Sequence, residues 1–413
     1  MRRRLFAAAV VTAATLAGVV PAVAQVAQPA VVSADPVDWT PHVLDGTVHA
    51  IAVVGDTVVV GGTFSTLATT AGARYRQDYL FAFGATDGRL RRFAPRLDGP
   101  VYSLAAGPDG TVYVGGSFRT VNGAPQRGLA RLSVATGARD TGFAASIAWG
   151  DVRALAVSGR WLYAGGAFPA VNRVPRAGLA RLDAASGAVD SGFDAGLAGA
   201  DRVRVEDFAL APGGGRLAVA GAFTQVAGQP RVQLALLDTS GPRAALVNWY
   251  TDGYRDVCDG TYDTYLRGVD FAPDGSYFVV VSTGNDHGPT RLCDAAARFD
   301  VAGTGRRNPT WVNHTGGNTL LSVAVTGTAV YVGGHQQWLD NPHGHKTAGP
   351  GAVSRPGIGA IDPRTGKALP WNPTRSRGVG VRAFLATPNG LWVGSDTDRL
   401  GNEYHGRIGM FPL

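Results

Sequence analysis

Short apolar segments alternate with turns along almost the whole chain of 413 residues. Residues 101–143 contain an apolar strand, a turn, a strand ending in a glycine pair, a polar loop, another strand, a Thr-Gly turn and an aromatic residue. Residues 152–193 repeat that order. Apolar and polar positions that alternate between clusters of Gly, Asn, Asp and Pro predict β-strands joined by turns. We therefore expect an all-β chain built from one repeated unit.

The glycine pair that ends the second strand of each unit serves as a marker for counting the units. The first residues of these pairs, or their equivalents, are Gly61, Gly115, Gly165, Ala220, Ser282, Gly333 and Gly394. Successive markers are 50 to 62 residues apart, and each unit contains four predicted strands. Propeller blades are four-stranded units of about 40–50 residues, whereas leucine-rich repeats have about 20–29 residues. The spacing predicts a seven-bladed β-propeller with four-stranded antiparallel blades over residues 37–413.

The two ends of this region predict how the ring closes. Outer strands carry an aromatic residue followed by polar ones, as in residues 309–315 and 369–374, and residues 37–42 have the same composition. The last unit ends after its third predicted strand, residues 407–411. We therefore expect the N-terminal strand to complete the last blade, which would leave no open sheet edge.

The units resemble the delta-60 repeat, a kelch-like β-propeller repeat of large exported bacterial proteins. The similarity lies in the glycine-pair strands at positions 61, 115, 165 and 333 and in the turns at 136–137 and 365–366. Residues 330–398 also resemble the C-terminal part of secreted proteins from high-GC bacteria. The resemblance implies a fold and a secreted location, but no particular reaction.

The N-terminus has the pattern of a secretory signal. Three arginines at positions 2–4 precede an apolar run over residues 5–20, and Ala22 and Ala24 are small residues of the kind found at cleavage sites. We expect a signal peptide over residues 1–24 and a linker over residues 25–36, because the apolar run is short for a membrane anchor. The arginine pair fits both general secretory and twin-arginine export. The predicted location is extracellular, without membrane insertion.

The net charge limits the classes of molecule that the protein is expected to bind. The net charge is +7, and it falls to +4 when the three arginines of the predicted signal peptide are removed. That charge is too small and too scattered to favour nucleic acid. We expect a monomer that binds an extracellular glycan or protein.

The chain has two cysteines, Cys258 and Cys293. An even number of cysteines in an exported protein predicts a disulfide. The alternative is a reactive or metal-bound thiol.

The loop after the second strand of a blade and the link into the next blade lie on one face of a propeller, where ligands commonly bind. The longest predicted loops on that face belong to the fifth to seventh units. The candidate binding residues are Trp338, His335, Asp340, His343, His345, Asp286, His287, Tyr262, Tyr404 and His405. The aromatic residues among them suit stacking on sugar rings, although aromatic residues of propellers also serve packing.

The same loops suggest three kinds of chemistry. The candidate catalytic carboxylates are Asp396, Asp398, Glu403 and Asp263, which could form an acid and base pair for sugar hydrolysis. His343 and His345 are candidate ligands for Zn or Cu, and the carboxylates of residues 395–398 for Ca. Against these readings, aspartates in loops commonly cap turns, and polar loops collect histidines.

The sequence therefore favours a secreted recognition module without a resident cofactor, with Ca and Zn as the candidate ions. The first alternative is a secreted carbohydrate-active hydrolase or lyase that uses the rim carboxylates. The second alternative is a metal-dependent oxidoreductase.

Overall fold

A computed structural model describes residues 25–256, 258, 262–285, 287–376 and 378–413. The predicted signal peptide lies outside the described residues, and so does Asp286. The regular elements of the described part are all β-strands apart from the short 3-10 helices Pro212–Gly214 and Gly288–Thr290, and it contains no α-helix. It contains no helix that is long and apolar enough to cross a membrane. The prediction of an all-β chain is confirmed.

Seven antiparallel sheets follow one another along the chain, each beginning with an inner strand that pairs with a middle strand. Their strands are Val48–Val54, Thr57–Gly62 and Leu80–Gly84 (sheet 1); Val101–Ala106, Thr111–Gly116 and Leu129–Ser133 (sheet 2); Val152–Ser158, Trp161–Gly166 and Leu179–Asp183 (sheet 3); Arg204–Leu210, Arg216–Ala222, Leu234–Asp238 and Ala245–Leu246 (sheet 4); Leu266–Phe271, Tyr277–Ser282, Ala295–Asp300 and Trp311–His314 (sheet 5); Leu320–Val325, Val330–Gly334 and Ile358–Ile361 (sheet 6); Ala383–Thr387, Gly390–Gly394 and Ile408–Pro412 (sheet 7).

A fourth strand is present in sheets 4 and 5. In four other sheets the outer segment pairs with the third strand at a single bridge. These bridges are Phe83–Leu90, Leu132–Arg139, Leu182–Val189 and Ile361–Ala368. The outer segments still carry buried aromatic residues, such as Phe143 and Phe193, whose rings pack edge-on against Tyr113 and Tyr163. Packing of these aromatic side chains therefore holds the outer segments where the hydrogen-bonded ladder is short.

Small hairpins lie between the middle and third strands of most sheets. They are Thr66–Ala68 with Arg74–Arg76, Thr120–Val121 with Ala124–Pro125, Ala170–Val171 with Val174–Pro175, Gln225–Val226 with Gln229–Pro230, Trp338–Leu339 with Val353–Ser354, and Arg399–Leu400 with Glu403–Tyr404. The links between sheets meet these hairpins, as in the pairing of Leu197–Ala198 with Gln225–Val226. Trp249–Tyr250 pairs instead with Gly305–Arg306, in parallel. We call the side that carries the hairpins and links the hairpin face.

The inner strands contact one another in sequence order, and the inner strand of sheet 7 contacts that of sheet 1. The amide of Val48 donates to the carbonyl oxygen of Ser395 at 3.0 Å, which joins the first and last sheets directly. The glycine pairs permit this packing. A Cβ atom on Gly61 would lie 2.4 Å from Val101, and one on Gly394 would lie 2.5 Å from Val48. The marker glycines thus leave room for the valine that opens the next sheet.

The N-terminal segment runs beside the last strand of sheet 7. Its amides donate from Ser33 to Pro412 O at 2.7 Å and from Val37 to Met410 O at 2.9 Å. Residues 33–40 do not form a regular strand, and His42–Val43 pairs with Thr66–Ala68 of the sheet 1 hairpin. The segment therefore meets sheet 1 in the way that the links meet the hairpins of later sheets.

Candidate functional site

The inner strand of each sheet presents one irregular residue near the hairpin face. In sheet 1, Val48 pairs with Gly62 and Ala50 with Gly61, so that His49 bulges out of the ladder. Sheets 2 to 6 have the same register shift, and in sheet 7 the equivalent residue directly precedes the strand. We call these seven residues the bulge ring. They are His49, Tyr102, Arg153, Glu206, Arg267, Leu321 and Arg382.

Charged side chains of the bulge ring interact with one another across the sheets. All seven are half-buried, whereas the valine or leucine before each is buried. Arg382 of sheet 7 acts electrostatically on His49 of sheet 1 and on Arg267 of sheet 5, and Glu206 of sheet 4 acts on Arg382. Side chains from sheets that are not neighbours therefore lie close enough to influence one another's ionisation.

On one side of the bulge ring the charged side chains form ion pairs with one another. Arg153 donates to Glu206 at 2.5 Å and to Asp151 at 2.9 Å. Glu206 also accepts from Arg204, which pairs in turn with Asp263 at 2.5 Å. Burial alone would raise the pKa of Glu206, but the charges of Arg153 and Arg204 outweigh it and hold that pKa below its usual value. This side is an ion-pair network with its charges satisfied.

On the other side, Arg267 and Arg382 make no ion pair with a carboxylate among the residues that the structure describes. Arg267 donates to the backbone oxygens of Thr264 and Leu266, both at 3.0 Å, and its guanidinium lies over the Tyr262 ring at 5.5 Å. Within the residues that the structure describes, the guanidinium of Arg382 makes no hydrogen bond or ion pair. Burial lowers the pKa of both arginines. This side therefore carries positive charge on two guanidinium groups that are partly buried from water.

The remaining positions of the bulge ring are aromatic and apolar. The rings of His49 and Tyr102 pack edge to face with centroids 5.4 Å apart. Burial and the nearby charge of Arg382 lower the pKa of His49 to about 4, so its imidazole is neutral at pH 7. Leu321 of sheet 6 lies at the position between those of Arg267 and Arg382 and supplies no charge.

Three of the residues predicted from the sequence border the bulge ring. Asp263 pairs with Arg204, and the ring of Tyr262 covers Arg267. Asp396 acts on His49 and Arg382, but its own oxygens accept from the amides of Val379 at 2.6 Å and Gly380 at 3.0 Å. Asp396 therefore also caps the turn that leads into sheet 7.

Several other predicted residues connect the sheets. Asp340 accepts from the side-chain amide of Asn313 at 2.7 Å and from the backbone of Ala368 at 3.0 Å, so it joins the sheet 6 hairpin to its neighbours. Trp338 is half-buried at the start of that hairpin. His335 contacts the Gly378 carbonyl oxygen through Nδ1. These contacts give Asp340 and His335 structural partners on the hairpin face.

The sheet 7 hairpin places another predicted group against the N-terminal segment. His405 is buried, and its Nε2 lies 3.9 Å from Glu403. The carboxyl groups of Asp35 and Asp38 approach Glu403 and, together with burial, raise its pKa. Tyr404 is exposed, and Asp398 is exposed at the start of the same hairpin. Glu403 therefore interacts with carboxyl groups of the N-terminal segment, whereas Asp396 caps a turn.

The predicted disulfide joins Cys258 and Cys293. His287 contacts the carbonyl oxygen of Cys258 through Nε2. The disulfide ties the link that carries Tyr262 and Asp263 to the loop that follows the middle strand of sheet 5. His343 and His345 are exposed in the sheet 6 loop. In the described ranges, no group of three or more His, Cys, Asp or Glu side chains is placed to hold a metal ion.

The residues of the bulge ring lie outside the long loops that contain the candidates predicted from the sequence. The signal was present, because the residue after the valine or leucine near the start of each inner strand varies, while the next residue is Ala, Ser or Gly in six of the seven units and Asp207 in the fourth. Aligned segments such as VHA, VYS, VRA and LLS show this directly. The variation marked a position that the fold does not constrain.

Three segments of the chain match the family model described as a domain of unknown function (DUF5122) beta-propeller. They are residues 107–143, 158–193 and 215–241. Among solved structures, the crystal structure of the computationally designed Ika8 protein matches with 14% sequence identity and a TM-score of 0.49, covering 90% of this chain and 99% of that chain. The curated proteins gave no match. Together with the antiparallel sheets, the family match identifies the chain as an all-β protein with β-propeller repeats.

Proposed function

We propose that this protein is an extracellular recognition module that binds its ligand at the bulge ring, on the hairpin face. The observation that supports this most is the variation within the ring. Leu321 occupies the same position as Arg267 and Arg382, which indicates that the fold requires no charge there. Charged side chains that the fold does not need, held close together and partly desolvated, are typical of a binding site.

The proposal includes a closed, seven-bladed architecture. The contacts between successive inner strands support it, as do the contact between sheets 7 and 1 and the hydrogen bonds of Ser33 and Val37 to the last strand. In this arrangement the N-terminal segment acts as the outer strand of the last blade. We further propose that the chain belongs with delta-60, kelch-like propellers and is exported by its N-terminal signal. The Cys258–Cys293 disulfide supports an oxidising location.

Binding without turnover is favoured over the hydrolase. Asp263 is paired with Arg204, and Asp396 accepts two backbone amides, so neither carboxylate is free to act as a proton shuttle without losing those partners. Ligand binding is expected to involve glycans or proteins of the cell exterior.

The test is a screen of the purified full chain on an array of extracellular polysaccharides and proteins, followed by titration of each hit. We expect the Tyr102→Ala variant to weaken binding at least about tenfold, which corresponds to loss of one aromatic contact of about 1–3 kcal/mol. Tyr75→Ala is the matched control, since Tyr75 is an exposed tyrosine on the sheet 1 hairpin. Equal losses in both variants, or release of sugar from a bound polysaccharide, would contradict the proposal.

A further inference from the structure

The cationic side of the bulge ring has an electrostatic imbalance. Burial lowers the pKa of Arg267 and the like charge of Arg382 lowers it further, although Glu206 opposes the shift. A half-buried charge that makes no ion pair raises the free energy of the folded state. Arg153, at the same position of the repeat, shows the satisfied alternative, with two carboxylates in contact.

The nearby carboxylates are already engaged. Glu206 accepts from Arg153 and Arg204, and Asp396 accepts from two backbone amides. At the equivalent position of sheet 6, Leu321 supplies neither a charge nor a side-chain hydrogen-bond donor. An anion placed between Arg267 and Arg382 would therefore meet two guanidinium groups, whose planar donor arrays match the two oxygens of a carboxylate.

The surroundings indicate what the rest of the ligand is like. His49 is neutral at pH 7 and packs against Tyr102, so this part of the bulge ring is an aromatic surface without charge. The exposed ring of Tyr262 covers the other side of Arg267. A sugar ring presents an apolar C–H face that packs on aromatic rings, and a uronic acid carries its carboxylate directly on such a ring. A flexible acidic peptide has no equivalent rigid face.

We infer that the bulge ring binds an acidic polysaccharide, with a uronic acid carboxylate held between Arg267 and Arg382 and the sugar ring against Tyr102. This inference rests on the proposed function and names the chemistry of its ligand. Affinity should fall as ionic strength rises, because exposed charge pairs are screened by salt.

The experiment is isothermal titration of the full chain at low salt with four probes. They are a galacturonic acid oligomer, a galactose oligomer of the same length and linkage, a poly-glutamate peptide and inorganic phosphate. We expect the galacturonic acid oligomer to bind at least about tenfold more tightly than each of the others, as a charge-assisted contact predicts. Equal binding of the neutral oligomer would overturn the inference, and so would preferred binding of the peptide or of phosphate.

Two variants locate the site. Arg267→Gln and Arg382→Gln should each weaken binding of the acidic oligomer roughly tenfold to a hundredfold. Arg91→Gln is the control, because Arg91 pairs with Asp56, which joins the inner and middle strands of sheet 1 at their other end. If Tyr102→Ala loses binding while both arginine variants keep it, the carboxylate position is wrong and recognition at the bulge ring stands. If none of the three variants changes binding, both proposals fail.

A second measurement does not depend on the variants. An anion beside Arg382 would offset the positive charge that helps to lower the pKa of His49. Titration of the His49 imidazole by NMR should therefore give a higher pKa with the acidic oligomer bound than without it. An unchanged His49 pKa at saturation would contradict placement of the carboxylate beside Arg382.

Discussion

Arg153 and Arg382 occupy the same position of the repeat, in sheets 3 and 7, but in opposite electrostatic surroundings. Arg153 contacts Asp151 and Glu206, whereas Arg382 has no ion pair among the described residues. The repeated backbone thus places a guanidinium at this position in sheets 3, 5 and 7, and among the described residues only the one in sheet 3 pairs with carboxylates. The difference separates charge that stabilises the fold from charge that is available to a ligand.

The two sides are also stabilised by different kinds of bond. Near Arg153 the contacts are ionic, through Glu206 and Arg204. Near Arg267 the link that carries Tyr262 is fixed by the Cys258–Cys293 disulfide. A covalent cross-link can hold a segment in place without supplying a counter-charge. The disulfide therefore keeps this side ordered, while its arginines make no ion pair among the described residues.

Removal of the disulfide is expected to cause the largest loss of stability, because the disulfide fixes the link beside Arg267. The Cys258→Ser, Cys293→Ser double variant should lose about 3–4 kcal/mol of unfolding free energy in the chain-entropy model, since the cysteines are 35 residues apart. Chemical denaturation of oxidised and variant protein measures this loss. Loss of binding that exceeds the loss of stability would show that the link positions Tyr262. A difference below about 1 kcal/mol would contradict a stabilising role.

Replacement of Glu206 tests the paired side. Glu206→Gln leaves Arg153 and Arg204 with fewer counter-charges in a half-buried site, and we expect a destabilisation of about 2–3 kcal/mol. Asp56→Asn is the control, because Asp56 pairs with Arg91 and is mostly exposed, so its replacement should change stability little. Equal effects of the two variants would show that the network does not contribute to stability.

The stability of the protein is expected to depend on pH through Asp207, which follows Glu206 in the chain. Burial raises the pKa of Asp207 to about 7, although the amides of Val269 and Phe208 donate to its carboxylate and oppose the shift. The unfolded chain releases this proton near pH 4, so the folded state binds more protons between the two values. Stability should therefore fall by about 1–2 kcal/mol as the pH rises from 5 to 7 and level off above that.

Denaturation curves at several pH values measure this dependence. Asp207→Asn should reduce it by about half, because one of the two aspartates that gain a proton on folding is gone. A dependence that is identical in the variant would assign the effect to other groups, of which Asp270 is the first candidate since burial raises its pKa to about 7 as well.

The smallest expected change in stability is the only one that is not a loss. Arg382→Gln removes a desolvated charge that has no ion pair, so stability should stay the same or increase by less than about 1 kcal/mol. Arg153→Gln should destabilise the protein, which makes the pair of variants a direct measure of the contrast. A clear loss of stability in Arg382→Gln would mean that its guanidinium is already compensated.

The repeat pattern predicted most of the strands because each unit carries its own turns and glycine pairs. The markers Gly61, Gly115 and Gly333 lie near the ends of middle strands, as expected. Fourth strands were harder to predict. Sheets 2 and 3 keep buried Phe143 and Phe193 but form only single bridges, because ring packing can replace backbone pairing.

The contacts of the candidate residues were harder to predict from the sequence, because the groups that bind them come from distant parts of the chain. Nothing near Asp340 along the chain reveals that its carboxylate accepts from Asn313 and Ala368. Asp396 likewise appears available in the sequence, but it caps the turn into sheet 7. The cysteine pairing was predictable, since two cysteines allow one intramolecular bridge.

The contact between Thr40 and the carbonyl oxygen of Ile408, at 3.4 Å, joins residues 368 positions apart in the chain. Contacts of such high contact order form late, so the first and last sheets cannot meet until nearly all the intervening chain has folded. Until then the Ile408–Pro412 strand exposes an unpaired edge that can join other chains. Refolding yield should therefore depend strongly on protein concentration, even though the N-terminal segment covers that edge in the folded protein.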